Sequence, residues 1–209
     1  MSGSLSAAAE LERCVAGGGV AVFPSDTVYG LACDPEDASA VERMYALKGR
    51  PPDKPSAVMF FDAALAVAAL PELGARTRAL MAQLLPGGVT LLLPNPHGRF
   101  PLAGGEGLGL RVPDVPLLRG VGRPVLQSSA NLTGAPDARR LADVPAAIRA
   151  RADLVIDAGE LPGTPSTVVD LRRFEADGTW SVVRAGAVPE STIAATARKS
   201  SRPAHGGSR

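Results

Sequence analysis

Along most of the chain, short apolar runs alternate with segments whose apolar positions recur at helical spacing. Leu5–Ala16 follows the helical period and stops at Gly17-Gly18-Gly19. Val20-Ala21-Val22-Phe23 is a continuous apolar run closed by Pro24, the pattern of a buried strand. Asp37 is placed to cap a helix that carries Val41, Met44 and Tyr45 on one face. Ala57–Phe61 predicts the next strand, and Ala63–Leu70 and Ala75–Leu85 predict two helices. Further strands are expected at Val89–Leu93, Leu108–Val112, Pro124–Gln127, Leu154–Ile156, Thr167–Leu171 and Trp180–Arg184, and a last helix at Ser191–Arg198. This interleaving predicts an α/β fold. Gly87-Gly88 and Gly104-Gly105 read as loops, and no segment repeats. One domain is therefore expected over residues 5–198, with 1–4 and 199–209 as flexible termini rich in Ser, Gly and Arg.

Composition narrows the class. Apolar residues make up 45% of the chain, enough for a sizeable core. The formal charge of +1 does not suit an indiscriminate polyanion binder, and 4% aromatics argues against a platform that stacks successive bases. Cys14 and Cys33 form no disulfide framework and no metal cluster, and are expected to stay reduced in the cytoplasm. The apolar start is broken by Glu10, Glu12 and Arg13, unlike a secretory leader, and nowhere do about 18 apolar residues run together. A soluble, cytoplasmic protein with no membrane association and no resident metal site is expected.

Candidate chemistry gathers where strands end. The segment Leu47-Lys-Gly-Arg-Pro-Pro-Asp-Lys-Pro55 must leave the helix near Arg50, because Pro51 and Pro52 disfavour helical geometry before them. In an extended segment Lys48 and Arg50 point the same way, and Lys54 adds a third cation on a proline-stiffened loop. Such a set suits a triphosphate. A basic helix end favoured by the helix dipole accounts for Lys48 but not for the prolines. Ser25, Asp26 and Thr27 follow a buried strand, where they either meet a small ligand or cap a turn. Arg111 closes an apolar strand, as a surface ion pair or as the grip on a substrate carboxylate. Ser128, Ser129 and Asn131 follow another strand and suit phosphate or ribose, or a plain turn to Gly134. Gly163–Asp170 repeats the theme, and Arg184 ends the last strand. His97 and His205 are the only histidines, so no Ser-His-Asp set is expected, and neither a P-loop nor G-x-G-x-x-G occurs.

Pro24-Ser-Asp-Thr-Val-Tyr-Gly-Leu31, Lys48-x-Arg50-x-x-x-Lys54-Pro55, Pro86-Gly87-x-x-Thr90-Leu91, Arg111-Val-Pro113, Ser129-Ala-Asn131 and Ser166-Thr-Val-Val-Asp170 occur in this order over roughly residues 10–190. Together they resemble the YrdC-like, TsaC-type family of threonylcarbamoyl-AMP synthases. The resemblance implies a single-domain twisted mixed sheet with flanking helices and a concave basic cavity. It implies synthesis of threonylcarbamoyl-AMP and pyrophosphate from L-threonine, bicarbonate or CO₂, and ATP accompanied by Mg²⁺. The product would pass to a tRNA threonylcarbamoyl-transferase complex that modifies adenosine 37 of tRNAs reading ANN codons. By position, Thr27, Arg111 and Ser166 are expected at threonine. Lys48, Arg50, Lys54, Ser129, Asn131 and Arg184 are expected at ATP, with Lys48 and Arg50 as the catalytic pair. Gly88 stands where many relatives have proline, a change expected to affect only a turn, and Met59 stands where some longer relatives place a polar residue near threonine. The competing readings are a double-stranded RNA-binding module of the same fold, with weak RNA binding by the basic concavity, and a paralogue acting on another carbamoyl-type substrate.

Overall fold

The computed structural model of the protein describes residues 6–51 and 54–200. Leu5, Pro52, Asp53 and residues 201–209 lie outside the described residues, so most of the expected flexible termini do too.

The elements in chain order are α1 (Ala7–Ala16), β1 (Ala21–Pro24), β2 (Tyr29–Cys33), α2 (Ala38–Lys48), β3 (Ala57–Met59), α3 (Ala63–Ala68), α4 (Ala75–Leu84), β4 (Val89–Pro94), β5 (Gly107–Arg111), β6 (Val125–Ser129), α5 (Ala146–Arg151), β7 (Leu154–Val155), β8 (Thr167–Asp170), α6 (Phe174–Asp177), β9 (Ser181–Arg184) and α7 (Glu190–Ser200). Helix starts follow the side chains that can hold free N–H groups. Asp37 accepts from the Ser39 and Ala40 N–H groups at 2.9 and 3.1 Å, and Asp62 accepts from Ala64 at 2.6 Å. Helix α2 ends at Gly49 in the left-handed region, with the Arg50 N–H returning to the Tyr45 carbonyl at 2.9 Å. Helix α7 runs on through Lys199 and Ser200, two residues expected to be frayed.

The nine strands among the described residues form one mixed sheet in the order β7-β1-β2-β6-β3-β5-β4-β8-β9. Alternation along each strand sorts side chains onto two faces. On one face the register lines up Leu126, Val58, Leu110, Leu91 and Val169 across β6, β3, β5, β4 and β8. Val22 and Leu31 extend that layer, and Met44, Leu80, Ile148 and Ile193 of the helices cover it. On the other face Phe23, Ala32, Met59 and Val125 pack against Leu11 and Val15 of α1 and against Leu118 and Val121. This second layer covers only part of its face. The remainder, over β5, β4 and β8, lies open.

Candidate active site

A cavity of about 360 Å³ occupies that open part of the sheet. Its floor is shallow in side chains. Gly109 pairs with Ala57 on one side and Leu92 on the other, and a Cβ on Gly109 would stand 3.2 Å from the Ala57 Cβ. One register step away, Arg111, Thr90, Val168 and Arg184 form a row across β5, β4, β8 and β9. Two distant arginines thus reach one cavity because the strands between them are in register.

At the β1–β2 turn the Ser25 hydroxyl donates to the Val28 carbonyl at 2.7 Å and shares a hydrogen bond with the Thr27 hydroxyl at 2.9 Å. Arg111, 3% exposed, donates through Nη2 to Asp26 and to Thr27 Oγ1, the latter at 2.7 Å. The pair is buried, not the surface ion pair that a lone strand-end arginine allowed. Burial pulls the guanidinium pKa down while Asp26 opposes it. Its Nε is buried with no partner among the described residues. Thr27 stands behind Arg111 and holds it, while Ser25 and Arg111 form the wall itself.

Beside that wall Ser166 shares a hydrogen bond with Thr90 at 2.8 Å, and Arg184 donates to the Ser166 carbonyl and hydroxyl at 2.7 and 3.2 Å. Gly88, which precedes β4, does more than form a turn. Its carbonyl accepts from the Thr167 N–H at 3.0 Å, and a Cβ there would come within 2.9 Å of the Ala187 Cβ.

The basic segment departs from expectation. Lys48 and Arg50 are not on an extended arm, because Lys48 is the last residue of α2 and Gly49 turns the chain away. Lys48 is 2% exposed and donates to the Ser129 carbonyl, to the Asn131 carbonyl at 2.8 Å and to Asn131 Oδ1 at 3.0 Å. An ammonium has three N–H bonds, so none is left for a phosphate. Desolvation, and then the charge of Arg50, bring its pKa down to about 8. Asn131 is likewise turned inward, accepting from the Ser129 hydroxyl at 2.6 Å and donating to the Ala135 carbonyl at 2.5 Å. The geometry makes Lys48 and Asn131 a buried tie that shapes the β6 end.

Arg50 does line the cavity. It lies over the Tyr45 ring at 5.7 Å, donates to the Pro55 carbonyl, and finds no partner for its buried Nε among the described residues. Lys54 is exposed and outside the cavity lining. Ser129, Ser166 and Arg184 are in the lining with Arg50 and Arg111. Sequence reading missed Glu106, Asp137 and Arg172, which line it too. All three sit outside any strand-end motif, and only the fold brings them in.

Among the described residues no group of three His, Cys, Asp or Glu side chains is placed to hold a metal ion. Mg²⁺ brought by a triphosphate needs less, one or two carboxylates besides phosphate oxygens and water. Asp137 fits that need, since it lines the cavity close enough to Lys48 to act on its charge.

Fold and site define a small-molecule-binding α/β protein whose open sheet face carries several arginines. The chain belongs to the Sua5/YciO/YrdC family, whose model, described as telomere recombination, matches residues 13–186. It is 38% identical to the threonylcarbamoyl-AMP synthase of Chromohalobacter salexigens, over 76% of this chain and 89% of that protein. It is 33% identical to the Bacillus subtilis enzyme of that name over 84% of this chain, spanning 52% of that longer protein. The Pyrococcus abyssi Sua5 structure complexed with L-threonine matches with a TM-score of 0.79 and 27% identity, covering 90% of this chain and 56% of that one. YciO of E. coli matches at 0.71 and 28%, covering 86% and 89%. No helix among the described residues is long and apolar enough to cross a membrane.

Proposed function

We propose that this chain is a threonylcarbamoyl-AMP synthase, converting L-threonine, bicarbonate and ATP into threonylcarbamoyl-adenylate, pyrophosphate and water. One observation carries the reading. Two arginines of the same cavity, Arg111 and Arg50, each keep a buried Nε with no acceptor among the described residues, one beside a hydroxyl pair and one beside Lys48, which holds the end of β6. Both guanidiniums line the cavity, and a charged hydrogen bond to an anion there contributes about 1.5–3 kcal/mol. A compact amino acid carboxylate suits Arg111, with the hydroxyls of Thr90 and Ser166 and the turn held by Thr27 around it. Phosphates suit Arg50, Ser129 and Arg184, and Lys54 is available to an outer phosphate from the exposed end of its segment.

In this reading the threonine nitrogen bonds to CO₂ and forms a carbamate. Bicarbonate supplies the CO₂ and a hydroxide equivalent. The threonine ammonium loses two protons on the way to the carbamate, one taken by that hydroxide as water and the other by the released pyrophosphate or solvent. A carbamate oxygen then bonds to the α-phosphorus, the bond to the β-phosphate oxygen breaks, and pyrophosphate leaves. The chain positions both reactants over a glycine floor and sets fixed guanidinium charge beside the leaving group. Lys48 and Asn131 hold the Ser129 end of β6 in place. Mg²⁺, when bound with the triphosphate, offsets charge on the departing phosphates, and Asp137 is the side chain that would help hold it. The product suits a cytoplasmic tRNA threonylcarbamoyl-transferase complex as the next step.

Pyrophosphate release from ATP by the purified chain tests this. Release is expected only with both threonine and bicarbonate present, and release indifferent to either would refute the assignment.

A further inference from the structure

The far end of the cavity is built differently from its arginine-lined wall. Gly107 lies four residues before Arg111 on β5, about 13 Å along the strand at ~3.3 Å per residue. The Arg172 stem fills the space a Cβ on Gly107 would need, passing 2.8 Å from that position. The Pro55 ring closes the opposite side, 3.0 Å from where a Cβ on Gly105 would be. Gly107, Gly105, the Pro55 ring and the Arg172 stem thus line a glycine-floored slot at this end of the cavity.

Two polar groups stand at the end of that slot. Arg172 spends Nε and Nη2 on Asp170, at 3.1 and 2.7 Å. Its Nη1 is left 3.7 Å from Glu106 Oε2, beyond hydrogen-bond reach. Among the described residues Glu106 makes no closer ion pair, and its side chain is 94% exposed. An acceptor and a donor therefore sit side by side in the cavity lining as a loose ion pair, too far apart for a hydrogen bond to each other.

We propose that Glu106 and Arg172 select the adenine base of the nucleotide. The inference rests on the synthase reading for its ligand. The 6-amino group of adenine donates to the Glu106 carboxylate, and adenine N1 accepts from Arg172 Nη1. Guanine carries the reverse pattern, a carbonyl at position 6 and an N–H at position 1, and so sets acceptor against acceptor and donor against donor. A site built to pair with a polar edge rejects the edge that leaves its groups unpaired. Neither residue belongs to the segments that suggested the phosphate and threonine contacts, so base choice and phosphate grip reside on separate parts of the chain.

The test compares ATP, GTP and purine riboside triphosphate, which lacks the 6-amino group, in the threonine-dependent release of pyrophosphate. The native chain is expected to favour ATP over both by about tenfold or more in kcat/KM, the size of one good edge-reading pair. Glu106→Gln, an exposed change that spares the fold, supplies an amide able to accept or donate. It is expected to narrow the ATP-to-GTP ratio at least about fivefold. Glu106→Gln with an undiminished ratio overturns the proposal while leaving the synthase reading intact. Calorimetric binding of the non-hydrolysable triphosphates of adenosine and guanosine gives the same ratio without turnover. A native chain that prefers the adenosine analogue, and loses the preference in Glu106→Gln, supports the base site even if no pyrophosphate is released. In that case only the synthase reading fails.

Discussion

Asp26 and Arg111 form a buried ion pair across the end of the cavity, though 85 positions separate them in the chain. Asp26 also accepts from the Asp114 N–H at 3.2 Å, so one carboxylate ties the β1–β2 turn to the segment after β5. The cost of holding Arg111 out of water is met by that pair and by the Thr27 hydroxyl. What remains free is Nε, which lacks any acceptor.

Removing the carboxylate should therefore harm stability as well as binding. Asp26→Ala leaves a buried guanidinium without its counter-charge, a situation that costs about 3–5 kcal/mol. Urea denaturation should show a loss of that order, and a raised KM for threonine should accompany it. A variant as stable as the native chain would mean that solvent already reaches Arg111.

Lys48 predicts a pH effect whose sign is opposite for activity and stability. Its folded pKa, about 8, lies below the ordinary lysine value of 10.5. Between those values the unfolded chain binds the proton and the folded chain does not, so this group makes stability rise with pH. Deprotonation, however, removes one of the three N–H bonds that hold Ser129 and Asn131, along with a positive charge next to Arg50. The KM for ATP should therefore climb as pH rises through about 8 while the melting temperature does not fall. Lys48→Met should start weak and lose that pH dependence. A native KM that is flat from pH 7 to 9 would argue that the ammonium stays charged.

Much of this architecture could be read from the chain, and the exceptions share a cause. Val20–Phe23 was legible because a continuous apolar run marks a strand buried on both faces, and Val89–Leu93 because it is apolar but for Thr90. Strand β2 was not, because Gly30 and the polar turn before it look like loop; its side chains are nevertheless fully buried by pairing with β1 and β6. Short α5 and α6 carry too few turns to show a period. At the site, Arg50, Arg111, Ser129, Ser166 and Arg184 were legible as polar residues at element ends, and the cavity gathers them. The inward turn of Lys48 was not legible, since spacing says nothing about three oxygens arriving from residues 129–131. Arg172 and Glu106 sit in no motif at all, and only the pairing of β4 with β8 on one side and β5 on the other brings them to the cavity.

Ser166 links Thr90 to Arg184, which allows the two halves of the site to be separated. Ser166→Ala removes the hydroxyl and leaves the carbonyl that also holds Arg184. One neutral hydrogen bond is worth about 1 kcal/mol, so kcat/KM for threonine should fall roughly fivefold with little change in the KM for ATP. Arg184→Ala should do the reverse and weaken ATP more than threonine. Equal effects of the two changes on both substrates would mean that the cavity has no such division.

Arg50 and Lys54 belong to one segment and should still behave differently. The Arg50 guanidinium is fixed by the Tyr45 ring and by the Pro55 carbonyl, with Nε buried. Lys54 stands exposed outside the lining and has no such fixing. Charged hydrogen bonds contribute ~1.5–3 kcal/mol when desolvated and held. Arg50→Ala should therefore lower kcat/KM for ATP by about 2 kcal/mol or more, close to thirtyfold. Arg50→Lys should recover little of it, because a lysine neither lies flat on Tyr45 nor offers a fork of N–H bonds. Lys54→Ala should raise the KM for ATP only a few-fold, leave kcat near the native value, and lose even that effect in high salt, where an exposed charge is screened. Steady-state kinetics of the three variants at low and high ionic strength decide the matter. If Lys54→Ala proves as damaging as Arg50→Ala and the loss persists in salt, the phosphates lie nearer the exposed end of the segment than the buried guanidinium implies.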